Sequence, residues 1–80
     1  MIPLYGFLEG DTIGLLVLAQ EGDSMAVLAE KLQVSAAVRV PRREHMVVRF
    51  KEQLLDGRVT VAQAGLTALD RFDVVRAPAA

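Results

Sequence analysis

Apolar and polar positions along this chain change period several times, and each change marks an element. Pro3 to Leu8 reads as a first strand and Thr12 to Ala19 as a second. Between them Glu9-Gly10-Asp11 supplies turn chemistry, with Gly10 free to take positive φ. The second run is apolar on both faces, with Ile13, Leu15 and Val17 on one and Leu16 and Leu18 on the other. An antiparallel strand with one face in water normally alternates with polar residues. Either both faces of this strand are covered within the domain, or one is covered by another chain.

The period lengthens after Glu21-Gly22. Met25, Leu28, Ala29 and Leu32 fall at i, i+3, i+4 and i+7, which predicts a helix capped by Asp23 or Ser24 and ending near Val34-Ser35. Pro41 bars its continuation and pushes Val40 toward an extended conformation. Met46 to Phe50 alternates again, with Met46, Val48 and Phe50 on one face and Val47, Arg49 and Lys51 on the other. Leu54-Leu55 suits a short edge strand before the Asp56-Gly57 turn. Thr60 is placed to cap a single helical turn that Gly65 ends. In the last strand Phe72 and Val74 face inward, Asp73 and Val75 outward. Strand, strand, helix, strand, short strand, strand is the order of a ubiquitin-like β-grasp. The expected class is α+β, a mixed sheet of four to five strands with one main helix on one face. Residues 1–76 are expected to form the single domain and residues 77–80 a flexible tail.

Composition narrows the function. Eighty residues bury only about 60% of the surface the unfolded chain exposes, and without cysteine no disulfide framework assists. Yet 52% of residues are hydrophobic, which suits a dense core or a face set against a partner. The net charge of -1 does not suggest a nucleic-acid binder. No run approaches the roughly 20 apolar residues of a membrane span, and no signal-peptide pattern opens the chain. A soluble, cytoplasmic protein is expected. The charge is nonetheless lopsided, about -4 over residues 1–38 and +3 over residues 39–80. Arg39, Arg42, Arg43, Arg49 and Lys51 form one basic cluster, broken by Glu44. Such a cluster grips carboxylates of a partner, holds phosphates, or simply stays solvated.

Catalytic chemistry lacks its residues. A carboxylate-bridged diiron site needs several inward Glu and paired Glu-x-x-His motifs on facing helices. This chain has one histidine, His45, and no such motif. Zinc hydrolysis and a Ser-His-Asp site would both lean on His45, which sits beside Arg43 with no evident orienting group. Gly6, Gly10 and Gly14 are spread over a hairpin and make no phosphate loop. Catalytic, cofactor and metal residues are therefore expected to be none.

Several short pieces, in order, carry a resemblance. They are Asp23-Ser24-Met25, Ala29-Glu30-Lys31, Arg39-Val40-Pro41, Met46-Val47-Val48-Arg49, the Thr60, Ala62, Gly65, Leu66 pattern, and Asp73-Val74-Val75. Together they resemble the small γ subunit, system protein B, of toluene and related aromatic monooxygenase hydroxylases. Leu54-Leu55-Asp56-Gly57-Arg58 also looks like the corresponding stretch of ubiquitin. The alanine-rich Gln33–Val38 segment, the Asp56-Gly57 turn and the end of the chain depart from the family pattern.

This resemblance implies a non-catalytic subunit. Its partner is a large hydroxylase subunit that holds a diiron centre, while this chain binds no cofactor, nucleic acid or membrane. The alternative is a free-standing ubiquitin-like interaction domain, similar to the small ubiquitin-like protein of type VII secretion. Conjugation is disfavoured, because Arg76-Ala77-Pro78-Ala79-Ala80 lacks a Gly-Gly tail. If the helix covers the face with Ile13, Leu15, Val17, Met46, Val48, Phe72 and Val74, the opposite face holds Leu16, Leu18, Val47, Arg49 and Val75. That face, with the Arg39, Arg42 and Arg43 loop, is the expected partner interface.

Overall fold

The structure is a computed structural model, and it describes residues 1–78. Five strands form one mixed sheet: β1 (Ile2–Leu8), β2 (Gly14–Ala19), β3 (Met46–Phe50), β4 (Gln53–Leu55) and β5 (Arg71–Arg76), in the order β2-β1-β5-β3-β4. β1 and β5 run parallel, and the other pairs are antiparallel. Helix α1 (Met25–Ser35) packs on one face, and a single turn, α2 (Val61–Ala64), closes the end of the domain. The expected β-grasp architecture is present.

Helix α1 begins where Ser24 caps it, its hydroxyl accepting from the Val27 N–H at 3.2 Å. Asp23, the other candidate cap, accepts from the Gln20 N–H and from Lys31 Nζ instead. The next unpaired first-turn amides, of Met25 and Ala26, donate to the Val59 and Gly57 carbonyls. A segment 31 to 34 residues downstream in sequence thus completes the helix start, as unpaired helix ends require. Thr60 and Gln63 form a reciprocal capping box on α2, and Gly65 ends it at φ 77°.

Met25, Leu28, Ala29 and Leu32 are all buried and meet Leu4, Val17, Val48, Phe72 and Val74 across the interface. The sheet admits the helix closely at Gly6. A Cβ there would stand 2.8 Å from Phe72 Cζ and 2.9 Å from Leu32 Cδ1. Glycine in mid-strand thus marks close approach rather than a weak strand.

Two expectations need correction. Ile13 is not an inward strand residue: β2 starts at Gly14, and Ile13 is 47% exposed. The reason lies in Asp11, whose carboxylate accepts from the Thr12 N–H and from Arg39, which holds the connection open through residue 13. Lys51 is likewise not on a strand face. It shares a two-residue β3–β4 turn with Glu52, both left-handed at φ 51° and 66°. Of the tail expected at 77–80, Ala79 and Ala80 lie outside the described residues, while the Ala77 N–H donates to the His45 carbonyl at 2.7 Å.

Positive φ at both positions is the geometry of a type I′ hairpin turn, which favours Asn-Gly. Side chains with a Cβ pay a steric cost there. Replacing Lys51-Glu52 by Asn-Gly is expected to stabilise the isolated chain by about 0.5–2 kcal/mol. A urea midpoint that stays put or falls would show that the Lys-Glu turn is not strained. Among the described residues no helix is long and apolar enough to cross a membrane.

Candidate partner-docking face

The sheet face away from α1 is open, and strand register fixes its layout. Pro3, Tyr5 and Phe7 of β1 lie beside Leu18, Leu16 and Gly14 of β2. On the other flank Tyr5 and Phe7 meet Arg71 and Asp73 of β5. Val75 and Asp73 then oppose Val47 and Arg49 of β3, and Arg49 opposes Leu54 of β4. Leu16, Leu18, Val47, Arg49 and Val75, expected together on this face, do share it, but as two groups rather than one patch.

A polar ladder divides them. Arg49 donates to Asp73 Oδ2 at 2.8 Å, and Arg71 Nε donates to Oδ1 at 3.1 Å. The Arg71 guanidinium also stacks over the Phe7 ring, 4.0 Å from its centroid. The same ring folds over Gly14, where a Cβ would lie 2.5 Å from Phe7 Cζ. Partial burial pushes the Asp73 carboxyl up, but the hydrogen bonds from Arg49 and Arg71 outweigh it and hold the group below its ordinary range. A folded-state value below the unfolded one stabilises the fold above the unfolded aspartate range. That contribution is lost as pH falls through the folded value, so the ladder stays intact at neutral pH.

One half of the face is therefore apolar and aromatic: Leu16, Leu18, Tyr5, Phe7 and Pro3. Its other half couples the Val47–Val75 pair to guanidinium groups fixed on rigid strands. Such a mix of apolar area, a tyrosine and two arginines matches the residue types that anchor protein interfaces. Tyr5, Phe7 and Arg71 were missing from the sequence-based interface. The alternation of Tyr5 and Phe7 with Leu4 and Leu8 in β1 was the signal that places them there.

The basic loop behaves differently. Arg39 lies bidentate on Asp11, at 2.9 Å for Nη2–Oδ2, and that hydrogen bond lowers the Asp11 carboxyl below its ordinary range. Arg42 Nε donates to both Glu30 oxygens, and Nη1 reaches Glu44 at 3.4 Å. Arg43 donates from Nη2 to the Glu9 carbonyl, and its backbone is clamped by buried Gln33 through Nε2 to the carbonyl and Oε1 to the N–H. Arg39 and Arg42 thus answer to the chain's own carboxylates. The loop serves as a brace between the β1–β2 turn and α1, and its charges do not converge on one site. His45 is exposed at φ 60°, and the described residues contain no group of three or more His, Asp or Glu that could hold a metal ion.

Comparison with known proteins adds an independent line. The family model for toluene-4-monooxygenase system protein B matches residues 1–75. A chain in a structure described as a toluene 4-monooxygenase HD complex with the inhibitor 4-bromobenzoate superposes with a TM-score of 0.82 at 31% identity, covering 91% of this chain and 94% of that one. A ubiquitin from Caldiarchaeum subterraneum gives a TM-score of 0.76 at 13% identity, covering 98% and 95%. A chain from a study of molecular mimicry of SUMO in DNA repair gives 0.75 at 19%, covering 92% and 89%. These last two share the fold alone. No curated protein sequence matches this chain significantly.

Proposed function

The chain belongs to the toluene-4-monooxygenase system protein B family, and from that premise we propose that it is a non-catalytic subunit of a multicomponent diiron aromatic monooxygenase. It docks on the large hydroxylase subunit by the open sheet face. The observation that carries this reading is the near end-to-end match to a chain of a hydroxylase complex. The face supports it physically, because a rigid sheet presents aromatic, aliphatic and guanidinium groups with few loops to order on binding. The diiron centre belongs to the partner. This chain has one histidine and no Glu-x-x-His motif, so it lacks the paired donors of such a site.

Co-expression with the large subunit of a toluene-4-monooxygenase-type hydroxylase tests the proposal. The two chains are expected to co-elute in equal amounts, while the chain purified alone carries no stoichiometric iron, zinc or flavin and oxidises nothing. Separate elution at micromolar concentrations would overturn the subunit role. One bound ion per isolated chain, lost in His45→Ala, would overturn the non-catalytic part.

A further inference from the structure

β2 is an edge strand, and its outer edge is barely protected. The Pro3 carbonyl accepts from the Leu69 N–H and the Tyr5 N–H donates to the Asp70 carbonyl, so both residues turn their backbone groups toward β5. Pro3 and Tyr5 are the residues opposite Leu18 and Leu16. These are therefore the non-hydrogen-bonded pairs of the β1–β2 ladder, and the N–H and C=O of Leu16 and Leu18 point away from the sheet. Among the described residues only the Leu18 carbonyl of these groups has a partner, Lys31 Nζ at 3.1 Å. Natural edges are usually blunted by charge, proline, bulges or shortness. This one has six residues, GLLVLA, with no charge and no proline.

The surroundings of that edge are apolar as well. Leu16 and Leu18 flank it on the open face, 55% and 51% exposed. On the helix side stand Val27 and Val34, 43% and 65% exposed, at i and i+7 with the Lys31 stem between them. Together they line a groove of about 450 Å³ between β2 and α1. Its two charged rim residues are already neutralised: Glu30 by Arg42 at 2.8 Å, and Lys31 by Asp23 at 2.8 Å. No unpaired charge is left on the rim for a charged ligand to answer.

From this geometry we infer that the β2 edge and the β2–α1 groove receive an extended, uncharged apolar segment of the large hydroxylase subunit, added as a sixth strand beside β2. The inference rests on the subunit role proposed above. Main-chain bonds to Leu16 and to the Leu18 N–H supply register, the Leu18 carbonyl being held by Lys31 Nζ, while alternate side chains of the added strand meet Val27 and Val34 on one side and Leu16 and Leu18 on the other. The uncharged composition follows from the paired rim, since a charged side chain would be desolvated there without a partner. A second copy of this chain is the competing occupant, and its signature is amide protection in the chain by itself that is lost on dilution.

Amide hydrogen exchange on the full chain, alone and bound to the large subunit, reads the inference directly. The Leu16 and Leu18 amides are expected to exchange freely in the isolated chain and to slow by about tenfold or more in the complex. Leu16→Pro removes the outward N–H, which an edge strand tolerates, and is expected to weaken assembly by about tenfold or more, whereas Leu16→Val preserves it. A complex in which these amides stay unprotected, or in which folded Leu16→Pro assembles normally, overturns the added strand and leaves the subunit role standing. If Leu16→Pro does not fold, the exchange rates of the unaltered chain decide alone. Protection that appears in the chain by itself and vanishes on dilution assigns the edge to a second copy and overturns the inference. Failure of the unaltered chain to bind the large subunit overturns both the inference and the role it rests on.

Discussion

Replacing Leu28 by alanine is expected to lower the unfolding free energy by about 2–5 kcal/mol. Leu28 is fully buried at the centre of the α1 stripe. An 11-residue helix is too short to persist in water by itself and depends on its packed face. Leu28 belongs to the buried cluster with Leu4, Leu32, Val48 and Phe72, so its truncation leaves a void inside packed apolar side chains. Small domains have roughly 5–15 kcal/mol in all, so the loss is a large share. In thermal unfolding it corresponds to a drop of roughly 8 °C or more for a domain of this size. Val27→Ala, one residue earlier and exposed, should move stability by no more than about 0.5 kcal/mol. Equal midpoints for the two variants would show that the helix does not face the sheet as described.

The second large effect concerns assembly. Val47→Asp should leave the isolated domain folded, since Val47 faces outward beside Val75 and is only half-buried. In the complex the new carboxylate would be stripped of water among apolar groups, at a cost of several kcal/mol unless it finds a partner. Arg49 lies two residues along the same face but is already engaged with Asp73. Binding to the large subunit should therefore weaken by roughly 30-fold or more. Because Val47 lies on β3, three strands away from β2, this variant reports on the open face and not on strand addition. Unchanged affinity, measured by titration of the folded variant, would remove the Val47 side of the sheet from the interface.

Both experiments separate what local pattern encodes from what assembly of the sheet encodes. Side-chain period was enough for the helix stripe, the inward set Val17, Val48, Phe72 and Val74, and the outward placement of Leu16, Leu18, Val47, Arg49 and Val75. A period of two or 3.6 is a property of neighbouring residues, so it is visible in the chain itself. A cap at Asp23 or Ser24, the cap at Thr60 and the Gly65 stop were legible for the same reason, since each acts over three to five residues, while the choice of Ser24 waited on Lys31 and Gln20 engaging Asp23.

Properties that depend on distant partners could not be read that way. The Arg39–Arg43 cluster looked like one basic patch, yet Asp11, Glu30 and the Glu9 carbonyl, 12 to 34 positions away, draw its guanidiniums apart. Asp73 joins Arg49 to Arg71 only because β3 and β5 are neighbours, and that ladder divides the face the alternation had made continuous. Ile13 left the strand because Arg39 holds Asp11 in the turn before it. The exposed β2 edge exists only through strand order, which places β2 outermost. Sequence by itself determined which side chains each element turns inward, because that choice is local and set by backbone geometry. Tertiary structure decided which charges are spent within the chain and which backbone groups are left for a partner, because both depend on contacts between elements far apart in sequence.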